Sequence, residues 1–236
     1  MRPGTPRCET APIAAPAYHQ RGFVLPPNAT QIVLVRHGAS EPAVPGRPFP
    51  LLNGHGDPAL APDGELQAEL VAERLAGEPL AGLFVTTLRR TAQTAAPLAA
   101  RLGLEPVVLP DLREVHLGEW EGGEFRVRIA EADPIALQAV EEERWDAIPG
   151  AETMEALATR VRAGIDALVA LAGPGVTVAA VVHGGVIGEV CRQATESRPF
   201  AFVHADNGSL TRLIVLGGGR WLLRSFNDTS HLASAA

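Results

Sequence analysis

Short apolar runs recur along the chain, each too short for a helix and most of them rich in β-branched residues. Such runs predict strands at residues 31–35, 83–86, 106–109 and 176–182, of which the first and the last are expected to be buried. Two further runs, 210–216 and 220–226, flank three consecutive glycines and predict a closing hairpin.

Between these runs, apolar residues recur three and four positions apart, which predicts helices. The first follows Pro62, with Asp63 as its N-cap and Leu66 on its apolar face, and ends at Gly77. Others are expected over 88–102, from Thr153 through 168, and from 184 to about 194. The proline-rich stretch 42–62 predicts a loop, and 123–147 predicts several short helices.

Strands that alternate with helices predict an α/β protein, a three-layer α/β/α sandwich with a mainly parallel sheet. The 236 residues are 46% hydrophobic, enough for one sizeable core. We therefore expect a single domain over 31–226, preceded by a flexible proline-rich arm (1–30) and followed by a C-terminal tail (227–236).

Composition removes several functional classes. The net charge of −7 argues against a nucleic-acid-binding protein. Because the chain has no lysine, Schiff-base chemistry and the lysine-containing phosphate loop are excluded. Two cysteines, Cys8 and Cys191, cannot form a metal cluster by themselves. We find neither an export signal nor a membrane span, and expect a cytoplasmic protein with no membrane partner.

Polar residues that could carry chemistry follow the predicted strands. Arg36 and His37 end the strand at 31–35, Arg90 follows the strand at 83–86, and His183 ends the strand at 176–182. Glu114 lies along the chain between Arg90 and His183. Because ligand sites of open α/β sheets lie beyond the carboxyl ends of the strands, these residues are expected to converge.

Two guanidinium forks suit the oxygens of a phosphoryl group, and a neutral imidazole can attack phosphorus. A glutamic acid can protonate the leaving oxygen and then act as a base towards water. The glycine after each histidine, Gly38 and Gly184, would let the backbone approach the ligand. The set therefore favours phosphoryl transfer through phosphohistidine without a metal or other cofactor.

Four ordered blocks extend this picture to a family. The segments 34–38 (LVRHG), 86–95 (TTLRRTAQTA), 112–122 (LREVHLGEWEG) and 182–186 (VHGGV) resemble the signature blocks of the histidine phosphatase superfamily, which includes phosphoglycerate mutases. A late turn at 206–209 (DNGS) is similar to its N-x-S turn. The likeness covers about residues 31–226 and implies a phosphoglycerate mutase-like fold.

The resemblance implies roles residue by residue. His37 is the nucleophile and Glu114 the proton donor, and the phosphate is bound by Arg36, Arg90, His183 and Gly184. Where the family often has polar residues after the first block, this chain has Ala39 and Ala43. A substrate rim is expected from Arg47, His55 and Asn207.

The segment between Glu114 and His183 distinguishes hydrolases from mutases of the family, since known mutases carry a longer, basic insertion there. Here the segment is short and contains the acidic run 141–143, which favours hydrolysis. We identify no second anion-binding group, so the expected partner is a small phosphorylated metabolite. Apolar helices and strand edges are also typical of domains that form homo-oligomers.

The favoured function is thus an acid phosphatase-like phosphomonoester hydrolase with a mildly acidic to neutral optimum. The alternatives are a phosphoglycerate mutase-type transferase, and a weakly catalytic phospho-ligand-binding or scaffold protein.

Overall fold

The computed structural model describes residues 19–235, so that most of the predicted arm lies outside the described residues. Six strands form one sheet in the order β5-β4-β6-β1-β7-β8, and two very short strands, β2 and β3, form a separate hairpin. The strands are β1 (Thr30–Arg36), β2 (Leu51–Leu52), β3 (His55–Gly56), β4 (Leu80–Val85), β5 (Val107–Val108), β6 (Thr177–Val182), β7 (Leu210–Val215) and β8 (Trp221–Asp228).

Residues 19–235 contain six α-helices: α1 (Pro62–Leu75), α2 (Arg89–Leu102), α3 (Glu124–Ala130), α4 (Pro134–Glu141), α5 (Met154–Ala172) and α6 (Gly184–Thr195). Of these, α1 and α2 cover one face of the sheet, and α5 and α6 cover the other. β1 lies parallel to β6 and antiparallel to β7. The predicted mainly parallel α/β/α architecture is therefore confirmed. No helix within residues 19–235 is both long and apolar enough to cross a bilayer.

The alternation of β1 explains how its two faces are covered. Ile32 and Leu34 pack in the core under α5 and α6, whereas Val33 and Val35 pack in the core under α1 and α2. Because both faces are buried, β1 reads as a continuous apolar run. Its carboxyl end lies at the centre of the sheet.

Helix boundaries followed the sequence pattern except at α1. The N-cap of α1 is Ala61, with Pro62 in its first turn, so the prediction of Asp63 as the cap is wrong. Pro62 is suited to that position because a first-turn residue needs no intrahelical N–H bond. Leu66 is 51% exposed, so it does not belong to the buried face. In α5, Thr153 accepts a hydrogen bond from the Ala156 N–H, as a cap does.

The predicted boundary at residue 226 falls inside β8, which continues to Asp228. Beyond β8, Nε2 of His231 is within hydrogen-bond distance, 3.0 Å, of the Gly208 carbonyl oxygen. The last described residues therefore contact the domain rather than forming a separate tail. The predicted loop 42–62 also contains the β2–β3 hairpin, which is too short to give a periodic signal.

Candidate active site

The end of β1 holds His37 rigidly. The His37 amide donates to the Val182 carbonyl of β6 at 3.0 Å, and the Asn207 side-chain amide donates to the His37 carbonyl at 2.8 Å. The imidazole is only 4% exposed. Asn207 thus supports the backbone of His37, and the structure does not bring it to the predicted substrate rim.

Hydrogen bonds define the protonation of the His37 ring. Nδ1 lies 2.7 Å from the Gly38 carbonyl oxygen, which can only accept, so Nδ1 carries the proton. Nε2 then bears the lone pair and accepts from Arg90 Nε at 3.2 Å. Burial, together with the charges of Arg90 and Arg36, holds the pKa of His37 well below its usual value. The ring is therefore neutral, and Nε2 is the ring atom with an available lone pair.

His183 lies beside this ring, with its centroid 5.2 Å from that of His37. Its Nε2 is 2.9 Å from the Thr86 hydroxyl, and burial holds its pKa well below the usual value. Two buried polar atoms at this point have no protein partner, His183 Nδ1 and Arg36 Nε. Arg36 Nε always carries a proton, and His183 Nδ1 carries one when Nε2 accepts from the Thr86 hydroxyl. Because a buried N–H without a partner is costly, both atoms then fit the oxygens of a bound anion.

Arg90 is 6% exposed and donates from Nη1 to the Gly56 carbonyl at 2.9 Å. Its neighbour Arg89 instead bonds Asp57 on the outer side, with its Nε 2.6 Å from the Asp57 carbonyl. Burial lowers the pKa of Arg90, and the Glu114 carboxylate partly offsets that shift. Of the two adjacent arginines, it is therefore Arg90 that contacts the His37 ring.

Glu114 is positioned from its own loop and from α6. Its Oε1 accepts from the Val115 N–H at 2.9 Å, and its Oε2 lies 3.5 Å from the Gly185 nitrogen. A Cβ at Gly185 would lie 2.7 Å from Glu114 Oε1 and 2.5 Å from Val115 Cγ2. Gly185 is thus the glycine whose missing side chain makes room for the carboxylate.

Gly38 serves packing rather than ligand approach. A Cβ there would lie 2.4 Å from the Gly64 carbonyl oxygen, and a Cβ at Gly64 would lie 1.9 Å from the Ala39 carbonyl oxygen. The loop after β1 therefore sits directly on the first turn of α1. This replaces the interpretation that Gly38 frees the backbone for phosphate. Gly184, in contrast, would place a Cβ only 3.4 Å from Arg36 Nε.

A cavity of about 280 Å³ opens in front of these groups. Its lining includes Arg36, His37, Arg90, Glu114 and His55. His55 is therefore at the cavity as predicted, whereas Arg47 is exposed in a turn and does not line it. Among residues 19–235 no group of three metal-ligating side chains is present.

Sequence reasoning missed Arg126, which lines the cavity from α3. Its Nη1 donates to the Glu41 carbonyl at 2.8 Å and its Nη2 to the Ser40 hydroxyl at 2.7 Å. Neither acceptor is a carboxylate, so the cation is not neutralised by these contacts. The sequence identified no second anion-binding group, because a helix of mixed polarity gives no signal for which residue turns inwards; the structure places the Arg126 cation at the cavity.

The two buried imidazoles predict a pH-dependent stability. Because their folded pKa lies below the unfolded value of about 6.5, the unfolded chain alone takes up protons as the pH falls past that value. Stability is fully present above pH 6.5 and is lost below it, by up to about 1.4 kcal/mol per imidazole at pH 5.5.

Urea unfolding at pH 7.5 and 5.5 measures this loss. We expect His37→Gln to lose about 1.4 kcal/mol less than the wild type between the two values, since one imidazole no longer titrates. The titration of exposed carboxylates changes the free energy of unfolding equally in both proteins, so it cancels when the two losses are subtracted. Equal losses would show that His37 titrates normally in the folded protein.

Comparison with known proteins agrees with this geometry. A model of the histidine phosphatase superfamily (branch 1) matches residues 32–229. A probable phosphoglycerate mutase of Yersinia enterocolitica is 31% identical over 219 residues, covering 86% of this chain and 94% of that protein. Phosphoglycerate mutase-like protein 4 of Arabidopsis thaliana is 32% identical, covering 86% of each. The solved structure of a mycobacterial glucosyl-3-phosphoglycerate phosphatase has a TM-score of 0.70 at 30% identity, covering 85% of this chain and all of that one.

Proposed function

The chain belongs to branch 1 of the histidine phosphatase superfamily, and from that membership we propose that it hydrolyses phosphomonoesters through a phosphohistidine on His37. The observation that carries the proposal is the state of the His37 ring. The ring is neutral, with a proton on Nδ1 and a lone pair on Nε2, and Nε2 faces Arg90 at the base of an open cavity.

In the first half-reaction, His37 Nε2 attacks phosphorus and the P–O bond to the alcohol breaks. Glu114 in its acid form gives its proton to the departing oxygen, which leaves as the alcohol. Arg90 moves from Nε2 to the phosphoryl oxygens, where Arg36 Nε and His183 Nδ1 supply further hydrogen bonds. Donors already placed around the developing charge stabilise the transition state without reorganisation.

In the second half-reaction, the Glu114 carboxylate takes a proton from water, and the resulting hydroxide attacks phosphorus. The N–P bond breaks, inorganic phosphate leaves, and His37 returns to its neutral form. Every proton in the cycle is accounted for by His37, Glu114 and water.

Glu114 must be protonated and His37 must be a neutral nucleophile at the start of the reaction, which favours a mildly acidic to neutral pH optimum for hydrolysis. The low pKa of His37 keeps the nucleophile active well below pH 6.5, because protonation does not remove its lone pair there. A cytoplasmic location and a small phosphorylated metabolite as substrate stay predictions.

A second candidate is phosphoryl return to an acceptor, as in a mutase. Two observations favour it: relatives named as phosphoglycerate mutases, and the cation of Arg126, which could meet a second anion on the substrate. We favour hydrolysis because the cavity is open and the segment between Glu114 and His183 is short, so water is not excluded from phospho-His37.

The test is to follow both fates of the phosphoryl group with a ³²P-labelled ester. Hydrolysis predicts release of labelled phosphate at a rate unaffected by 3-phosphoglycerate. Transfer of the label to that acceptor faster than phosphate release would identify the mutase. Binding without labelled phosphate, product or phosphoenzyme would leave only the scaffold alternative.

A further inference from the structure

The part of the cavity beyond the phosphate site has an aromatic wall. Phe49, Trp120, Phe125 and Trp145 all line it. The Trp120 and Phe125 ring centroids are 6.4 Å apart, and Phe125 meets Trp145 edge to face at 5.9 Å. Three separate segments therefore supply aromatic side chains to the lining of one cavity.

This wall is held in place from behind. Trp145 packs on Phe200 with ring centroids 4.7 Å apart, and its backbone N–H contacts the Met154 sulfur at 3.4 Å. Phe49 is held by a 2.8 Å hydrogen bond from its N–H to the Gly122 carbonyl. Gly123 has φ +102°, and a Cβ there would lie 2.8 Å from the Phe49 ring. The wall is thus preformed rather than assembled around a ligand.

The same region offers few hydrogen bonds. Among the described residues that line the cavity, none has a hydroxyl or a neutral amide side chain. The Glu121 oxygens already accept from the Gly56 and Leu117 N–H groups, at 2.6 and 2.9 Å. His55 Nδ1 lies 3.3 Å from the Asn53 carbonyl. A polyhydroxylated sugar would lose water here without replacing its hydrogen bonds, which is unfavourable.

We infer that the preferred esters carry an aromatic ring on the alcohol side, and that Phe49 and Phe125 determine this specificity. The ring would pack against these aromatic side chains in the part of the cavity that Trp145 also lines. The Arg126 guanidinium, 5.5 Å from the Phe49 centroid, adds a cation at the same mouth. The cavity of about 280 Å³ suits a phosphate with one ring, since pockets for larger ligands are typically above about 300 Å³.

The inference rests on the proposed function for turnover, but its binding part can be measured separately. Phosphonates resist hydrolysis, so calorimetry with 2-phenylethylphosphonate and ethylphosphonate isolates the contribution of the ring. We expect the phenylethyl compound to bind at least about 10-fold more tightly. Phe125→Leu and Phe49→Leu should each lower this ratio to about 3, because each removes one aromatic side chain from the cavity lining.

Ile129→Ala is the matched control, because Ile129 is on α3 like Phe125 but is 44% exposed and does not line the cavity. Its affinity ratio should equal that of the wild type. A wild-type ratio below about 2 would overturn the inference. A ratio that survives both wall substitutions would also overturn it, since the ring would then bind elsewhere.

Turnover separates this inference from the proposed hydrolysis. The substrates are 2-phenylethyl, ethyl and glucose 6-phosphate, all primary alkyl esters with similarly basic leaving oxygens. The phenylethyl ester should have the highest kcat/KM. Equal or better hydrolysis of glucose 6-phosphate would refute the aromatic preference while supporting the hydrolase. Preferential phosphonate binding with no hydrolysis of any ester would refute the hydrolase while supporting the aromatic pocket.

Discussion

Replacing His37 with alanine is expected to lower phosphate release by at least about 1000-fold. The substitution removes Nε2, the atom that attacks phosphorus, and no other imidazole can substitute for it. His183 is the nearest, but its Nε2 is already bonded to Thr86 and its ring lies 5.2 Å away, centroid to centroid. Release from p-nitrophenyl phosphate, measured across pH with EDTA present, gives the loss directly.

His204→Ala provides the matched control, since His204 is exposed and does not line the cavity. It should retain wild-type activity. A reaction with ³²P-labelled ester, quenched in alkaline detergent because the N–P bond of phosphohistidine is acid-labile, should also label the wild type and leave His37→Ala unlabelled. Persistent release from His37→Ala at more than a tenth of the wild-type rate would rule out His37 as the nucleophile, and sensitivity to EDTA would indicate a metal-dependent route.

Glu114→Gln should be the second most damaging change, and its effect should depend on the leaving group. For 2-phenylethyl phosphate, whose alkoxide needs a proton, kcat/KM should fall by about 1000-fold. For p-nitrophenyl phosphate, whose phenolate leaves unprotonated, kcat/KM should fall by only about 10-fold. The amide keeps the size of the side chain, so the difference between the two esters reports proton donation.

If Glu114 is also the base that activates water, Glu114→Gln should show a second kinetic effect. With p-nitrophenyl phosphate, a burst of nitrophenolate equal to the enzyme concentration should precede slow turnover, because water attack on phospho-His37 has lost its base. Glu119→Gln is the control, as Glu119 is exposed and outside this cavity. Equal losses for both esters without a burst would limit Glu114 to an electrostatic role.

Much of this molecule was predictable because most of the polar residues of the site lie at or just after the ends of strands. Arg36, His37 and His183 each end or directly follow a buried strand, and parallel strands bring their carboxyl ends to one edge. The strand β1 and the helices that cover it were likewise predictable from the sequence. A strand buried on both faces needs apolar residues at every position, and each covering helix needs one apolar face. The four ordered blocks therefore indicated both the fold and the phosphate end of the site.

Other features were decided by packing between distant segments. Asn207 became a support for the His37 backbone, and Gly38 a contact with Gly64, because atoms far apart in sequence approach within a few ångströms. Such approaches leave no periodicity in either segment.

The leaving-group end of the cavity shows the same limit most clearly. Phe49, Phe125 and Trp145 belong to a loop, a short helix and a 3₁₀ turn, and no local pattern relates them. Arg126 turns towards the cavity only because Ser40 and Glu41 receive its guanidinium there. The sequence by itself determined the sheet and the positions of the residues proposed as nucleophile and phosphate ligands, since these depend on strand periodicity and on the loops that follow the strands. Tertiary packing alone decided what surrounds the rest of the substrate, because that surface is built from side chains of unrelated segments.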